Sequence, residues 1–263
     1  GIAPLHASDE HVAAYVGYLV TVGKKPSTIE RALASLNAAY RAAGIDDPPS
    51  ASTVVRLTMS GARRTVGVAP DRARPLSLAE MKVMVDALPN SLAGTRDRAL
   101  LLVGFAAALR RNELASLTVG DLEFVHEGLL VHLRRSKTDQ QGEGQTVPVA
   151  YASDVSYCPI RGSRAWLEDA GLTQGPLWRS ITRHGAVGGS LSSRAVHDIV
   201  LRAARGAGVD LDRLSAHSLR AGYVTAAALA GAPERAIANV SRHKSIPVLR
   251  TYVRQATIWQ DAA

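Results

Sequence analysis

The chain has 263 residues, of which 46% are hydrophobic and 21% are charged, and this composition excludes a largely disordered or collagen-like chain. Such a length predicts one or two domains. Lysine and arginine number 31 against 23 acidic residues, a net charge of +8, which favours a polyanionic partner such as nucleic acid, with solubility alone as the alternative. Only 5% of the residues are aromatic, which favours duplex DNA held through its phosphates over a single strand stacked on aromatic rings.

Several protein classes are excluded by what the sequence lacks. No apolar run reaches the roughly 18 residues of a membrane helix, and no signal peptide is evident, so we expect an intracellular protein. Cys158 is the one cysteine. It excludes an internal disulfide and a cysteine-based zinc site, and we expect it to be a small buried residue. Because the chain begins with Gly1 rather than Met, we expect an N-terminal piece, such as a first helix, to be missing.

Residues 1–70 are predicted to form a small helical domain. The first helix starts after the capping residue Ser8. The second is predicted to start with a capping box of Ser27 and Glu30, and to end near Gly44. A third helix is predicted from about residue 52 to 65. Residues 66–75 contain two prolines and lack periodicity, which is typical of a linker.

The second domain, residues 77–263 after a linker region at 71–76, is predicted to be mainly helical with a small antiparallel three-stranded sheet. Ser77 and Glu80 form a capping box, and an apolar helix follows at 96–109. Residues rich in β-formers predict strands at 122–125, 129–134 and 145–150. Further helices are predicted at 159–170, 193–206, 217–230, 233–241 and 246–255. The fold class is therefore mostly α.

Five short motifs could carry chemistry, although each one alone has an ordinary explanation. An arginine beside an acid can be a structural ion pair, a loop lysine is usually only solvated, and a tyrosine on an amphipathic helix usually packs in the core. The order and spacing of the motifs are more specific than any one of them. Along the chain they supply Arg110 with Glu113, Lys137, His217 with Arg220, His243, and Tyr252.

This ordered set resembles the tyrosine recombinase (phage integrase) family, and the residues around the motifs are most similar to those of its Cre-like branch. The resemblance covers residue 77 to the end, and it is carried by the segments FAAALRRNELASLTVGDLEF, SKTDQQGEGQTVPV, SAHSLRAGYVTAAALAGAP and SRHKSIPVLRTYVR. Residues 1–70 resemble the core-binding DNA-binding domain of the family, less specifically. The resemblance implies a site-specific DNA recombinase that cleaves and rejoins duplex DNA through a covalent 3′-phosphotyrosine intermediate and exchanges strands between two sites. It implies no metal and no other cofactor.

The chemistry of the residues agrees with this implication. The hydroxyl of Tyr252 can attack phosphorus and form a phosphotyrosine ester. A phenol with a pKa of about 10 is a weak nucleophile, so it needs a base and cationic groups around the phosphate. Arg110 and Arg220 suit that role because a planar guanidinium can donate two hydrogen bonds to phosphate oxygens.

The remaining members of the set have less restricted roles. His243 can supply a third donor, and His217 can donate to the phosphate or accept the tyrosine proton. Lys137 can protonate the departing 5′ oxygen as a general acid. Glu113 is expected to orient Arg110 or His217, with a purely structural role as the alternative.

The residues that contact DNA away from the cut are predicted from their charge and position. Arg194 lies in the first turn of a helix that enters the major groove in the family, where an arginine can meet a guanine edge. For each candidate the alternative is plain surface charge. The candidates for contacts with phosphates are Lys24, Lys25, Arg31, Arg63, Arg64 and Arg183.

The resemblance also implies partners and an assembly. We expect duplex DNA with inverted-repeat half-sites and a homo-tetramer on two sites, in the cytoplasm of a bacterium, encoded by the bacterium or a phage, with nucleoid association. Ile258 and Trp259 are bulky and apolar at the C-terminal end. We expect them to dock into a neighbouring subunit, or alternatively against their own catalytic domain. A type IB topoisomerase and a catalytically silent DNA-binding regulator are the competing functions.

Overall fold

The computed structural model describes residues 4–67, 73–134, 144–243 and 249–251. The chain divides into two compact units, Gly1–Asp71 and Arg72–Ala263. Among the described helices, none combines the length and apolar character needed to cross a membrane.

The first unit is built from three helices around a small apolar core. They are α1 (Asp9–Thr21), α2 (Pro26–Ala42) and α3 (Thr53–Val66). The side-chain oxygen of Ser8 accepts a hydrogen bond from the His11 N–H, as expected of a residue that caps a helix N-terminus. The core of the unit consists mainly of Val12, Val16, Ile29, Leu33, Val55 and Met59.

The predicted capping box at the start of α2 is wrong. The helix begins earlier, with Lys25 as the capping residue and Pro26 in its first turn. A proline ring fixes φ near the helical value and lacks the N–H that would go unbonded there, so it suits this position. Ser27 therefore lies inside the helix, and Glu30 forms an ion pair with Arg63 of α3 (2.7 Å).

The core of the second unit surrounds one apolar helix. The unit starts with α4 (Leu78–Asp86), where Ser77 and Glu80 exchange the predicted capping hydrogen bonds. The next helix, α5 (Leu92–Ala106), has Leu100, Leu101 and Val103 completely buried. Helix α5 therefore fixes the positions of the elements that pack around it.

Helix α5 ends three residues before the predicted end at residue 109. Ala108 has a positive φ of 48°. The Ala108 N–H bonds to the Phe105 carbonyl (3.0 Å), and the Leu109 N–H bonds to the Gly104 carbonyl (3.1 Å). This is the hydrogen-bond pattern of a Schellman motif, which usually has glycine at the left-handed position. Because alanine occupies it here, the sequence did not indicate the stop.

The predicted three-stranded antiparallel sheet is confirmed. After the short helix α6 (Arg111–Ser116), the strands follow in the order β1-β2-β3. Leu129 is paired with Phe124 on one side and with Val149 on the other. The strands are β1 (Leu122–Phe124), β2 (Gly128–Leu133) and β3 (Gln145–Ala150).

The last part of the described chain is mainly helical, as predicted, but it also contains a second, two-stranded sheet that the sequence did not predict. Its strands have only three and four residues, and the second is Val-Gly-Gly-Ser, which has no alternation of apolar and polar residues. Cys158 is buried, as predicted. The elements are α7 (Pro159–Asp169), β4 (Arg179–Ile181), β5 (Val187–Ser190), α8 (Ser193–Gly206), α9 (His217–Leu229) and α10 (Glu234–Ser241).

Helix α9 packs very closely on its neighbours at Gly222. A Cβ atom added there would lie 2.2 Å from the Leu76 carbonyl oxygen and 2.8 Å from the ring of Phe105. Only glycine permits this approach. It places the first turn of α9, which carries His217 and Arg220, beside the end of α5.

Candidate active site

The turn after α5 presents backbone carbonyls to two arginines from distant parts of the chain. The Ala108 oxygen accepts hydrogen bonds from Arg220 Nη1 (2.8 Å) and Arg242 Nη2 (3.3 Å). The Ala107 oxygen accepts from Arg242 Nη1 (3.1 Å). Cations are favoured at a helix C-terminus, where the unbonded carbonyls carry partial negative charge. The end of α5 is therefore the point where α9 and the turn after α10 meet.

Arg110 is held by Glu113 at the start of α6. The Arg110 N–H donates to Glu113 Oε2 (2.8 Å), and its Nη1 donates to Glu113 Oε1 (2.6 Å). Arg110 Nη2 donates to the Arg242 carbonyl (3.3 Å). The guanidinium is thus fixed on two sides while the side chain remains partly exposed.

Glu113 is ionised although its side chain is only 4% exposed. Burial opposes the ionisation, but the charge of Arg242, the Arg110 N–H and the charge of Arg110 outweigh that effect and lower the pKa of Glu113. The predicted pairing of Glu113 with Arg110 is present. Its second partner is Arg242 (2.7 Å), whereas the sequence offered His217 as the alternative.

Helix α9 contributes His217 and Arg220 from its first turn. Arg220 is 2% exposed, and its bond to Ala108 aims the guanidinium along the end of α5. The His217 N–H donates to Ser215 Oγ (3.2 Å). Partial burial, together with the nearby charges of Arg220 and Arg110, lowers the pKa of His217. These effects favour the neutral form of the ring.

His243 follows α10 directly and is held by Ser241. Ser241 Oγ donates its one hydrogen to the Ile237 carbonyl (2.6 Å) and lies 2.7 Å from His243 Nδ1. Because that hydrogen is already committed, Nδ1 must supply the hydrogen of the second bond. In the neutral ring Nε2 is consequently an acceptor. Burial, and then the charges of Arg220 and Arg110, lower the pKa of His243 to about 4.

These four side chains, Arg110, His217, Arg220 and His243, are called the basic cluster here. They come from three separate segments of the chain, and the charges of Arg110 and Arg220 act on the pKa values of both histidines. The guanidinium groups are ready-made donors for anionic oxygens. Among the described residues, no group of three or more His, Cys, Asp or Glu side chains is arranged as a metal site. The basic cluster therefore offers several donors to one anion.

An open cavity continues from the basic cluster along α6 and contains a residue that the sequence reasoning missed. His197 of α8 accepts the Ala216 N–H through Nδ1 (3.4 Å), so Nε2 carries the hydrogen of the neutral ring. The signal that could have found it is its position three residues after Arg194, on the same face of α8. The cavity is lined by Arg110, Arg111, Asn112, Glu113, Ser116, His197, Ser215, Ala216 and His217.

Two members of the predicted catalytic set, Lys137 and Tyr252, lie outside the described residues. The same is true of Ile258 and Trp259. The last described segment, residues 249–251, is helical, and Leu249 is completely buried.

The residues predicted to contact DNA elsewhere are all exposed in the structure. Arg194 pairs with Asp198 one turn further along α8 (3.0 Å). Arg63 pairs with Glu30, and Arg183 lies in the turn between β4 and β5, where its Nε is bonded to His184 (2.9 Å). The other four are Lys24, Lys25, Arg31 and Arg64.

The family described as the phage integrase family matches residues 74–257 of the chain. An integrase/recombinase xerD homolog of Selenomonas ruminantium is 32% identical over all of this chain and 78% of its own length. The recombinase Cre of Escherichia phage P1 is 26% identical over 94% of this chain and 76% of its own length. The predicted family is thereby confirmed, while the assignment to the Cre-like branch stays a prediction.

Solved structures show the same fold at lower identity. The Tn1549 transposon integrase, solved with transposon right-end DNA, is similar over 100% of this chain and 88% of that one, with a TM-score of 0.69 and 15% identity. The XerH site-specific recombinase, solved with palindromic difH substrate in a post-cleavage complex, is similar over 97% and 73%, with a TM-score of 0.68 and 16% identity.

Proposed function

The chain belongs to the phage integrase family, and from this premise we propose that the basic cluster binds the phosphate at which the enzyme cuts DNA. The chain is a tyrosine-type site-specific recombinase, which cleaves and rejoins duplex DNA and exchanges strands between two sites. The observation that carries the assignment is the meeting of four basic side chains from three segments at the end of α5.

The electrostatics of the basic cluster support binding of a phosphodiester. In the described part of the site the arginine charges outnumber the one carboxylate, Glu113, so an anion is attracted. Negative charge stays on the non-bridging oxygens through the transition state, and donors fixed in advance lower the barrier. The phosphate would also offset the arginine charges that lower the pKa of His243. Its pKa would then rise, so that the ring could donate to the bound phosphate.

The covalent step needs two further residues, Tyr252 and Lys137, whose roles rest on their places in the family pattern. The Tyr252 oxygen forms a bond to phosphorus while the bond from phosphorus to the 5′ oxygen breaks. Lys137 gives its proton to that 5′ oxygen, and His217 accepts the tyrosine proton or donates to the phosphate. Attack by the 5′ hydroxyl of a partner strand reverses these steps and rejoins the DNA.

The two units have different roles in this proposal. Residues 1–70 form the core-binding domain, in which Lys24, Lys25, Arg31, Arg63 and Arg64 contact phosphates, and the remainder from residue 77 is the catalytic domain. Arg194 and Arg183 contact DNA from α8 and from the β4–β5 turn. The partner is duplex DNA with inverted-repeat half-sites. A tetramer with Ile258 and Trp259 docked in the neighbouring subunit, and a cytoplasmic location, complete the proposal.

Covalent trapping tests the proposed function. The protein is mixed with a duplex that carries a binding site obtained by selection in vitro. The duplex has a nick close to the cleavage point, so the short strand released by cleavage diffuses away and the adduct cannot be rejoined. We expect a protein–DNA adduct that is absent in Tyr252→Phe, while binding in a gel shift is retained. The control Tyr151→Phe changes an exposed tyrosine far along the chain and should leave the adduct unchanged.

Each other outcome identifies a different function or residue. An adduct in Tyr252→Phe contradicts the assignment of the nucleophile. Binding of the wild-type protein without any adduct indicates a silent DNA-binding protein. Adduct formation with relaxation of supercoils but no exchange between paired sites indicates a type IB topoisomerase.

A further inference from the structure

We propose that Arg242 is a positioning residue for the basic cluster, which holds Arg110 and Glu113 in the geometry that cleavage requires. The proposal rests on the proposed function, because it assigns Arg242 to the site that binds the cleaved phosphate. Nothing in the sequence pattern distinguishes Arg242 from a surface arginine.

The backbone of Arg242 is in an unfavourable conformation. Its φ of 55° and ψ of 44° are left-handed, a region that is unfavourable for an L-residue with a side chain. Glycine is the usual residue where a helix ends in this way. An arginine in this conformation needs compensation from its side chain.

The side chain is almost completely buried and makes hydrogen bonds in three directions. It is 5% exposed. Nη1 donates to the carbonyls of Val240 (2.7 Å) and Ala107 (3.1 Å), and Nη2 donates to Ala108 (3.3 Å) and to Glu113 Oε2 (2.7 Å). One guanidinium thus joins the C-terminal ends of α10 and α5 to the carboxylate on α6.

Arg242 reaches Arg110 by two routes. Its side chain shares Glu113 with Arg110, and its backbone carbonyl accepts a hydrogen bond from Arg110 Nη2 (3.3 Å). The direction of that carbonyl follows from the left-handed backbone. In addition, Nη2 shares the Ala108 carbonyl with Arg220, so both catalytic arginines depend on atoms that Arg242 orders.

If Arg242 served stability alone, its hydrogen bonds would not need to reach Glu113 and Arg110 of the active site. Both Nη groups of Arg242 use their hydrogens on Glu113 and the carbonyls, and Nε is buried without a hydrogen-bond partner. The side chain therefore has no accessible donor for a phosphate. We therefore expect loss of Arg242 to slow cleavage at saturating DNA without weakening DNA binding, which is spread over many phosphate contacts. Misplacement of a catalytic group by about 1 Å can cost about 10²-fold in rate.

The test compares Arg242→Gly with Arg213→Gly. Arg213 also has a left-handed backbone, with φ 50°, and also pairs with a carboxylate, but its side chain is largely exposed and its partner is the adjacent Asp212 rather than Glu113. Both variants relieve the same backbone strain and remove the same side chain. We measure single-turnover adduct formation on the nicked duplex, the DNA dissociation constant and the thermal unfolding midpoint, with the full chain.

We expect Arg242→Gly to form the adduct about 10- to 100-fold more slowly than the wild type, with a dissociation constant within about threefold, and Arg213→Gly to match the wild type. Glu113→Gln combined with Arg242→Gly should be less slow than the product of the two single defects, because the two residues share the contact at Glu113 Oε2. Loss of the Arg242 charge also raises the pKa of Glu113. The rate of Arg242→Gly should then fall at a higher pH than that of the wild type as the solution is acidified.

Equal rates in Arg242→Gly and Arg213→Gly would overturn the proposal, as would a multiplied defect in the double variant. Should Arg242→Gly not fold, Arg242→Lys is compared with the wild type instead. A lysine keeps the charge but cannot reach all of these acceptors at once. Wild-type cleavage by folded Arg242→Lys would also overturn the proposal, and slow cleavage would support it. Failure of the proposed function is distinct, because the wild-type protein itself would then form no adduct.

Discussion

Glutamine at position 113 would keep the size of the side chain and remove the one negative charge that Arg110 and Arg242 share. The carboxylate accepts from the Arg110 N–H at 2.8 Å, from Arg110 Nη1 at 2.6 Å and from Arg242 Nη2 at 2.7 Å. Removing one partner from a buried ion pair typically costs about 3–5 kcal/mol in the free energy of unfolding. Because the amide oxygen of glutamine can still accept from one of these donors, we expect about 3 kcal/mol, at the low end of that range.

Glu30→Gln is the matched control, since Glu30 also pairs with an arginine but is 46% exposed. An exposed pair contributes at most about 1 kcal/mol. Urea unfolding at pH 7 measures both variants, and adduct formation should be about 10²-fold slower in Glu113→Gln and unchanged in Glu30→Gln. Equal unfolding free energies for the two variants would refute the reasoning that the buried charge holds the site together.

The pH dependence of the same measurement has a defined sign. Arg242 and Arg110, against the effect of burial, lower the pKa of Glu113 in the folded chain. The ionised carboxylate therefore adds stability above the unfolded pKa of about 4.3, and this contribution is lost as the pH falls through the lower folded pKa. The difference between the wild type and Glu113→Gln should accordingly shrink as the pH falls below about 4.

Two further predictions concern neighbouring features. NMR titration without DNA should give His243 a pKa of about 4 and the Nδ1–H form of the ring. Ser241→Ala should mix the two neutral forms, and a wild-type ring in the Nε2–H form would contradict the hydrogen-bond assignment. Gly222→Ala should cost about 1–3 kcal/mol by overpacking, because its Cβ would lie 2.2 Å from the Leu76 oxygen. Gly17→Ala, which meets nothing within 4 Å, should be neutral or stabilising in chemical unfolding, and an equal loss in both variants would contradict the role of this contact.

The order and spacing of the motifs singled out four basic residues that the structure brings together, Arg110, His217, Arg220 and His243. Arg242 could not be predicted in this way. Its role depends on a left-handed backbone and on carbonyls at the end of α5, and both are products of the folded chain. In the sequence it is one more basic residue beside His243.

The fold was predictable where local signals agreed with the packing. Ser77 with Glu80, and the run of β-forming residues in β2, placed their elements correctly. Prediction failed where two local signals competed, as when Pro26 overrode Ser27, and where an unusual residue took a special conformation, as Ala108 does. The β4–β5 hairpin was missed because its short strands are defined by pairing with each other rather than by side-chain pattern.

The convergence on the Ala108 carbonyl restricts how the length of this chain can vary. One residue inserted into α5 would turn everything beyond it by about 100° and advance it by about 1.5 Å, which would take the acceptor away from both Arg220 and Arg242. No adjustment of the side chains could restore the two bonds together. Insertions and deletions, whether natural or engineered, are therefore confined to surface connections such as the β4–β5 turn. The length of α5 is fixed because it sets the position of the Ala108 carbonyl relative to Arg220 and Arg242.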